Sequence, residues 1–254
     1  MNKLSLILLS LPLIGLGQNV NIPDTNFKTY LIGDPLINTN GDSEIQVSEA
    51  NIFNGTIWCE NMNITDLTGI EYFINLTGLY CPYNQITSLN LSQNISLTGL
   101  SCYDNQLTSL NLNGAISLQF VHAWNNQLVN LDVSQNTSLI SLLCNNNQLI
   151  SLDLSQILCD LQINESDFSE NPNLNCIEVT DLSCWQNNFI GFIDTTYQFY
   201  SSNCSGTTVI SEETANKELL KVVDALGREV NQTTNQILFH MYDDGSVEKK
   251  FVVD

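Results

Sequence analysis

With 254 residues, 43% of them hydrophobic, and a formal charge of −20, the chain suits one elongated domain or a domain plus tail. No Lys or Arg occurs between Lys28 and Lys217, so that span has nothing to neutralise phosphates: nucleic-acid binding is excluded and an anionic membrane surface disfavoured. The apolar content argues against disorder and leaves cation binding, neutral partners or solubility outside the cell.

Residues 1–17 read as a secretion signal: Lys3, an apolar run from Leu4 to Leu16, then small residues at Gly15 and Gly17, so that a mature chain begins at Gln18. The run is too short for a stable span, and no other stretch is long enough to cross a bilayer. Residues 18–55 form a cap. Asp24 is placed to cap a short helix with Phe27, Tyr30 and Leu31 on one face, ended by Gly33 and Pro35. From Asn38 to Glu49, oxygen-bearing side chains recur at Asn38, Asn40, Asp42, Glu44 and Glu49, a spacing that resembles an EF-hand calcium loop and implies those five as calcium ligands. Asn38 stands where that pattern has Asp, Ser43 where it has Gly, and Pro35 crowds an entering helix. An Asx-rich turn held by its own side-chain bonds is the other reading, and both stay open.

Residues 56–165 carry a repeat. Leu76, Leu97, Leu118 and Leu139 lie 21 residues apart, each opening the frame L-x-x-L-x-C-x-x-N-x-L-x-x-L-x-L. A fixed period in this range marks a solenoid, in which each coil buries its apolar row against its neighbours. Apolar residues two apart, as at Leu100 and Cys102 or Leu110 and Leu112, have strand periodicity, so each coil is expected to hold two short strands stacking into two parallel ladders. Cys59, Cys81, Cys102 and Cys144 share one inward column, with Ala123 substituting once, and read as small core residues; no His joins them as a metal set would favour.

The frame resembles the leucine-rich-repeat family, in a short bacterial subtype with a second half-repeat nested in each unit. The phrase Asp66-Leu67-Thr68-Gly69-Ile70-Glu71 resembles one common in bacterial members. The resemblance implies that Asn84, Asn105, Asn126 and Asn147 form a ladder of buried amides bonded to backbone groups of adjacent coils. The first coil has Met62 in that place, as an atypical end coil. The fold class expected is mainly β: a leucine-rich-repeat solenoid with two short parallel ladders, a small helical N-terminal cap and a short C-terminal β segment.

After Gln156 the frame decays, with Leu161 and Ile163 keeping one strand and Asn171 to Ile177 breaking it. Residues 166–206 are read as a C-terminal cap, aromatic-rich from Trp185 onward, closed by a candidate disulfide between Cys176 and Cys204. Cys159 and Cys184 are unassigned. Residues 207–254 are a linker followed by strands and turns, with five of the seven basic residues from Lys217 onward. Val223-Asp224 with Gly227-Arg228, the turn at Asp243-Asp244-Gly245, and the ending Lys249-Lys250-Phe251-Val252-Val253 resemble the C-terminal sorting signal of type IX secretion in the Bacteroidetes. That resemblance implies export machinery as a partner of residues 217–254.

No nucleophile elbow, zinc-protease helix, phosphate loop or dinucleotide fingerprint appears, and His122 and His240 are the only histidines, so no catalytic residues are assigned. The alternation of the first strand instead sets Trp58, Tyr80, Tyr83, Tyr103, Asp104, His122 and Trp124 on its outward row, while the second ladder's outward row is small and polar. The sequence therefore reads as a secreted or outer-membrane-surface binding protein, not an enzyme, that uses an aromatic strand face for a protein or glycan partner. A structural or adhesive spacer without a discrete ligand, and a calcium-dependent surface module, are the alternatives.

Overall fold

The computed structural model describes residues 17–157, 164–183, 185, 190–193, 199–202, 204, 219–223, 236–242 and 247–252. Residues 1–16 of the leader, Cys159, Leu161, Ile163, Cys184, Asp224, Gly227, Arg228 and the turn at 243–245 lie outside them. The chain divides into two compact units, Met1–Gly206 and Thr207–Asp254. In the second, strands Leu219–Val223, Gln236–Tyr242 and Val247–Val252 form an antiparallel sheet with Gln236–Tyr242 in the middle.

The first unit opens with helix α1 (Thr25–Gly33), whose first-turn amides at Asn26 and Phe27 donate to the Asp24 carboxylate at 2.9 Å, as an N-cap requires. Helix α2 (Val47–Ile52) starts with a capping box between Gln46 and Glu49. Phe27 and Leu31 of α1 are fully buried in the same core as the coils, and the Tyr30 hydroxyl accepts from the Trp58 amide on the outermost strand. An edge that would otherwise bare its donors is thereby covered.

Thr56–Trp58, Gly78–Tyr80, Gly99–Ser101, Phe120–His122, Ser141–Leu143, Asn164–Asp167 and Ile190–Phe192 stack in that order into one seven-stranded parallel sheet. Its register pairs Ile57, Leu79, Leu100, Val121 and Leu142 rung on rung, so the 21-residue step becomes a buried apolar column. The second ladder departs from expectation. Ser88–Asn90 pairs with Ser109–Asn111, and Leu152–Asp153 with Cys176–Glu178 and then Phe199–Ser201, but the coil between, at Asn130–Asp132, forms no strand. Leu131 is still buried there, so the core column continues where the backbone pairing lapses.

Among the described residues the amide ladder has five members. Asn126 shows the pattern: its Nδ2 donates to the Cys102, Ala123 and Trp124 carbonyls at 3.1–3.2 Å, and its Oδ1 accepts from the Leu107 amide of the preceding coil at 2.9 Å. Asn84, Asn105 and Asn147 repeat it. So does Asn171, donating to the Cys144 and Phe168 carbonyls and accepting from Leu149. The sequence reading that Asn171 to Ile177 breaks the repeat is therefore corrected: the coil persists. It is hard to see because 24 residues separate Cys144 from Phe168, and because Leu174 follows its ladder Asn by three positions where Leu149 follows by two. Cys176 and Cys204 form a disulfide that joins this coil's second strand to the segment after Phe199–Ser201.

Cys59, Cys81, Cys102 and Cys144 are free thiols, all fully buried. Burial pushes Cys59 and Cys102 up to about 12 from an ordinary 9.0, and raises Cys81 and Cys144 as well, because a thiolate there would lose its hydration. A thiol whose folded pKa is raised contributes stability that is complete below its unfolded pKa and is lost as pH climbs toward the folded value. The midpoint of urea unfolding should therefore fall steadily from about pH 9 upward. Cys102→Ala, which copies Ala123, should flatten that decline. Peptide-mapped iodoacetamide labelling at pH 8 should leave all four thiols unmodified until the protein unfolds.

Candidate functional site

The sheet edge facing outward carries the rings, and the backbone makes room for them. Each coil turns through a left-handed position two residues after its inward Cys-column residue: Asn61, Tyr83, Asp104, Asn125, Asn146 and Glu170 have φ between 51° and 55°. Asn and Asp tolerate that region and glycine prefers it; tyrosine adopts it only at a cost of about 1 kcal/mol or more. At Tyr83 the chain keeps a strained backbone together with a ring that is 48% exposed.

Trp58 and Tyr80 stack across adjacent coils, centroids 4.0 Å apart and planes 8° from parallel. Tyr103 and Trp124 do the same at 4.2 Å and 8°, and Tyr83 meets Tyr103 edge-on at 5.4 Å. Trp58 is 58% exposed; Tyr80, Tyr103 and Trp124 are half-buried. The rings thus pair laterally along the ladder and also remain at the surface. Gly78 and Gly99 fit this arrangement: a Cβ on Gly78 would come within 2.9 Å of the Tyr80 ring, and one on Gly99 within 3.0 Å of its hydroxyl. In the next coil Phe120 takes the register position of Gly99 and is 41% exposed. Sequence reasoning passed over Phe120 and both glycines, although Phe120-Val121-His122 alternates in the manner that marks an outward ring.

The polar members lie among the rings. The Asp104 carboxylate accepts from Asn125 Nδ2 at 2.8 Å, and Asn125 Oδ1 accepts from Asn146 Nδ2 at 2.5 Å, forming a chain of amides along the left-handed column. His122 Nδ1 lies 3.5 Å from the Ser101 hydroxyl. Burial raises the Tyr103 phenol above its ordinary value, helped by the charges of Tyr83, Glu60 and Asp104. On the other ladder Ser88, Asn90, Ser109, Asn130, Asp132, Ser151 and Asp153 are exposed, and a groove of about 360 Å³ runs beside Asp66, Glu71 and Ser88.

The loop from Asn38 to Glu49 is held by bonds among its own side chains and amides. Glu49 is buried, with Oε1 accepting from the Thr39 amide, the Thr39 hydroxyl and the Asn40 amide, and Oε2 from the Gln46 amide. Asn38 Nδ2 donates to the Ile32 and Asp42 carbonyls, Asn40 Nδ2 to Asp42 and Gln46, and Glu44 pairs with Lys28 at 2.7 Å. In this arrangement Glu49, the carboxylate that would grip an ion from two sides, serves as the acceptor for the loop's own amides. Among the described residues no cluster of three His, Cys, Asp or Glu side chains is placed to hold a metal.

No family model matches the chain. Internalin J of Listeria monocytogenes serotype 4b (strain F2365) is 58% identical over 36 residues, which are 14% of this chain and 4% of internalin J. The functional domain of InlJ from Listeria monocytogenes, a solved structure that includes a cysteine ladder, superposes with a TM-score of 0.52 at 31% identity, covering 67% of this chain and 40% of that one. The chain thus spans less than half of either.

Glu49→Ala should lower stability by about 2–4 kcal/mol in urea unfolding, since it leaves several loop amides without an acceptor. Glu49→Gln should cost less. The loss should be the same in calcium and in EDTA. A melting temperature that calcium raises in the wild type, and no longer raises in the Asp42→Ala, Glu49→Ala double variant, would restore the calcium reading.

Proposed function

We propose, starting from a leucine-rich-repeat solenoid as the fold, that the chain is an exported binding protein that recognises a partner through its aromatic strand face. The observation that carries this is the segregation of Trp58, Tyr80, Tyr83, Tyr103 and Trp124 to one of two ladders built from the same repeat. If the rings served only to stabilise the stack, either ladder would do equally well, and half-exposed tryptophan and tyrosine are the side chains that supply most binding energy at interfaces. The strained backbone at Tyr83 points the same way, because Asn in that position would relieve it and remove the ring. Protein recognition or adhesion is the general reading favoured by similarity to internalin J; a glycan partner rests on ring chemistry alone.

The variant Tyr80→Ala, Tyr103→Ala, Trp124→Ala should keep the β-rich circular dichroism spectrum of the wild type. On a protein and glycan array, and in attachment to cells, its signal should drop at least about tenfold, as loss of a central aromatic cluster implies. Unchanged attachment would leave a spacer without a discrete ligand as the reading.

Export completes the proposal. Residues 1–17 direct the chain out of the cytoplasm and residues 217–254 present it to type IX machinery in a Bacteroidetes-like cell, placing it at the outer surface or beyond. Support for this comes from the motifs of both ends, and no helix among the described residues is long and apolar enough to cross a membrane. A chain ending at Gly206 should accumulate in the periplasm while the full chain reaches the surface or medium; equal export of both would remove the sorting role.

A further inference from the structure

The nature of the partner can be narrowed, on the premise that the aromatic face is the binding surface. The ring pairs are closed: at 4.0 and 4.2 Å and 8°, their inner faces are covered by each other, so no sugar ring enters between them. What the rings offer a partner is the surface left exposed outside the pairs, and the faces of tryptophan and tyrosine are electron-rich and attract cations. Trp58 at 58% and Tyr83 at 48% exposure present the most such surface.

Carboxylates accompany them. Glu60 is exposed, two residues from Trp58 in the sequence, and Asp104 follows Tyr103 directly; both lie near enough to the Tyr103 hydroxyl for their charge to act on it. Asp104 is fixed by the amide chain from Asn125 and Asn146, which occupies one of its oxygens from the solenoid side. No positive charge answers these groups from within the coils: Lys and Arg are absent from the sequence between Lys28 and Lys217, and Lys28 is bound to Glu44. A face of electron-rich rings and carboxylates, in a field of −20, is complementary to cations and repels anionic partners.

We propose that the aromatic face docks a basic protein segment, whose arginine side chains lie on the outer ring faces and pair with Glu60 and Asp104. Arginine is favoured over lysine because its planar guanidinium stacks on a ring while its edge donates two parallel hydrogen bonds to a carboxylate, which a compact, strongly hydrated ammonium does not.

The test uses the full chain and fluorescein-labelled nona-arginine, nona-lysine and hexa-N-acetylchitohexaose, read by fluorescence anisotropy at about 150 mM NaCl, where distant charges are largely screened. Nona-arginine should bind about tenfold more tightly than nona-lysine. The Glu60→Gln, Asp104→Asn variant should weaken it by about tenfold. Asn at 104 keeps both the left-handed backbone and an acceptor for Asn125, so folding is preserved. A control of equal charge change on the opposite ladder, Asp132→Asn with Asp153→Asn, should shift binding less than about twofold. Equal binding of the two peptides, or equal weakening by both double variants, would reduce the effect to net charge and overturn the proposal. So would binding of the chitohexaose without nona-arginine, or self-association of the chain that consumes the same face. If the Tyr80, Tyr103, Trp124 alanine variant loses cell attachment while wild type ignores nona-arginine, only the basic partner falls. If that variant loses neither attachment nor peptide binding, the aromatic face falls with it.

Discussion

Each coil has to turn a corner inside the protein, and a corner leaves backbone donors and acceptors that no strand partner can reach. From the second coil onward, one asparagine per described coil answers this. Asn84, Asn105, Asn126, Asn147 and Asn171 each bond carbonyls of their own turn and of the coil before, and take an amide of that earlier coil in return. An unmet buried amide or carbonyl costs on the order of 1–3 kcal/mol, so the ladder is a condition of the turn existing at all. Because it also bonds coil to coil, it sets the rung on which the next strand lies. The apolar column, the thiol column and the row of rings all inherit their alignment from that register.

What fills the inside is decided by volume. The position next to the turn holds Cys in most coils, Ala123 once and Phe168 in the longer coil, and every one of these is fully buried. A thiol there acts as a small apolar group whose burial holds it protonated, so the column of cysteines fills volume in the core. The N-terminal cap solves the end of the stack with polar chemistry: a buried Glu49 gathers loop amides, and the Tyr30 hydroxyl covers the first strand's edge.

The two readings of the rings, lateral stacking and surface recognition, describe the same side chains. Stacking at about 4 Å holds Trp58, Tyr80, Tyr103 and Trp124 in fixed orientation. A ring already ordered loses little further entropy when a partner arrives. Gly78 and Gly99 make the same point from the backbone, since a side chain at either would crowd Tyr80.

The period, the inward Leu and Cys columns and the outward aromatic row were legible in the sequence, because a strand's two-residue alternation and a fixed coil length map residue number onto direction in space; the Asp24-capped helix was legible from its cap residue, and the ladder asparagines through Asn147 from the resemblance to leucine-rich repeats. What the sequence left open turned on distances between residues far apart in number. That Glu49 faces the Thr39 and Asn40 amides, that Trp58 lies flat on Tyr80, and that the coil containing Asn171 rejoins the stack after an insertion were decided by tertiary structure. Periodicity states which way a side chain points. Only the packed backbone states what it meets there.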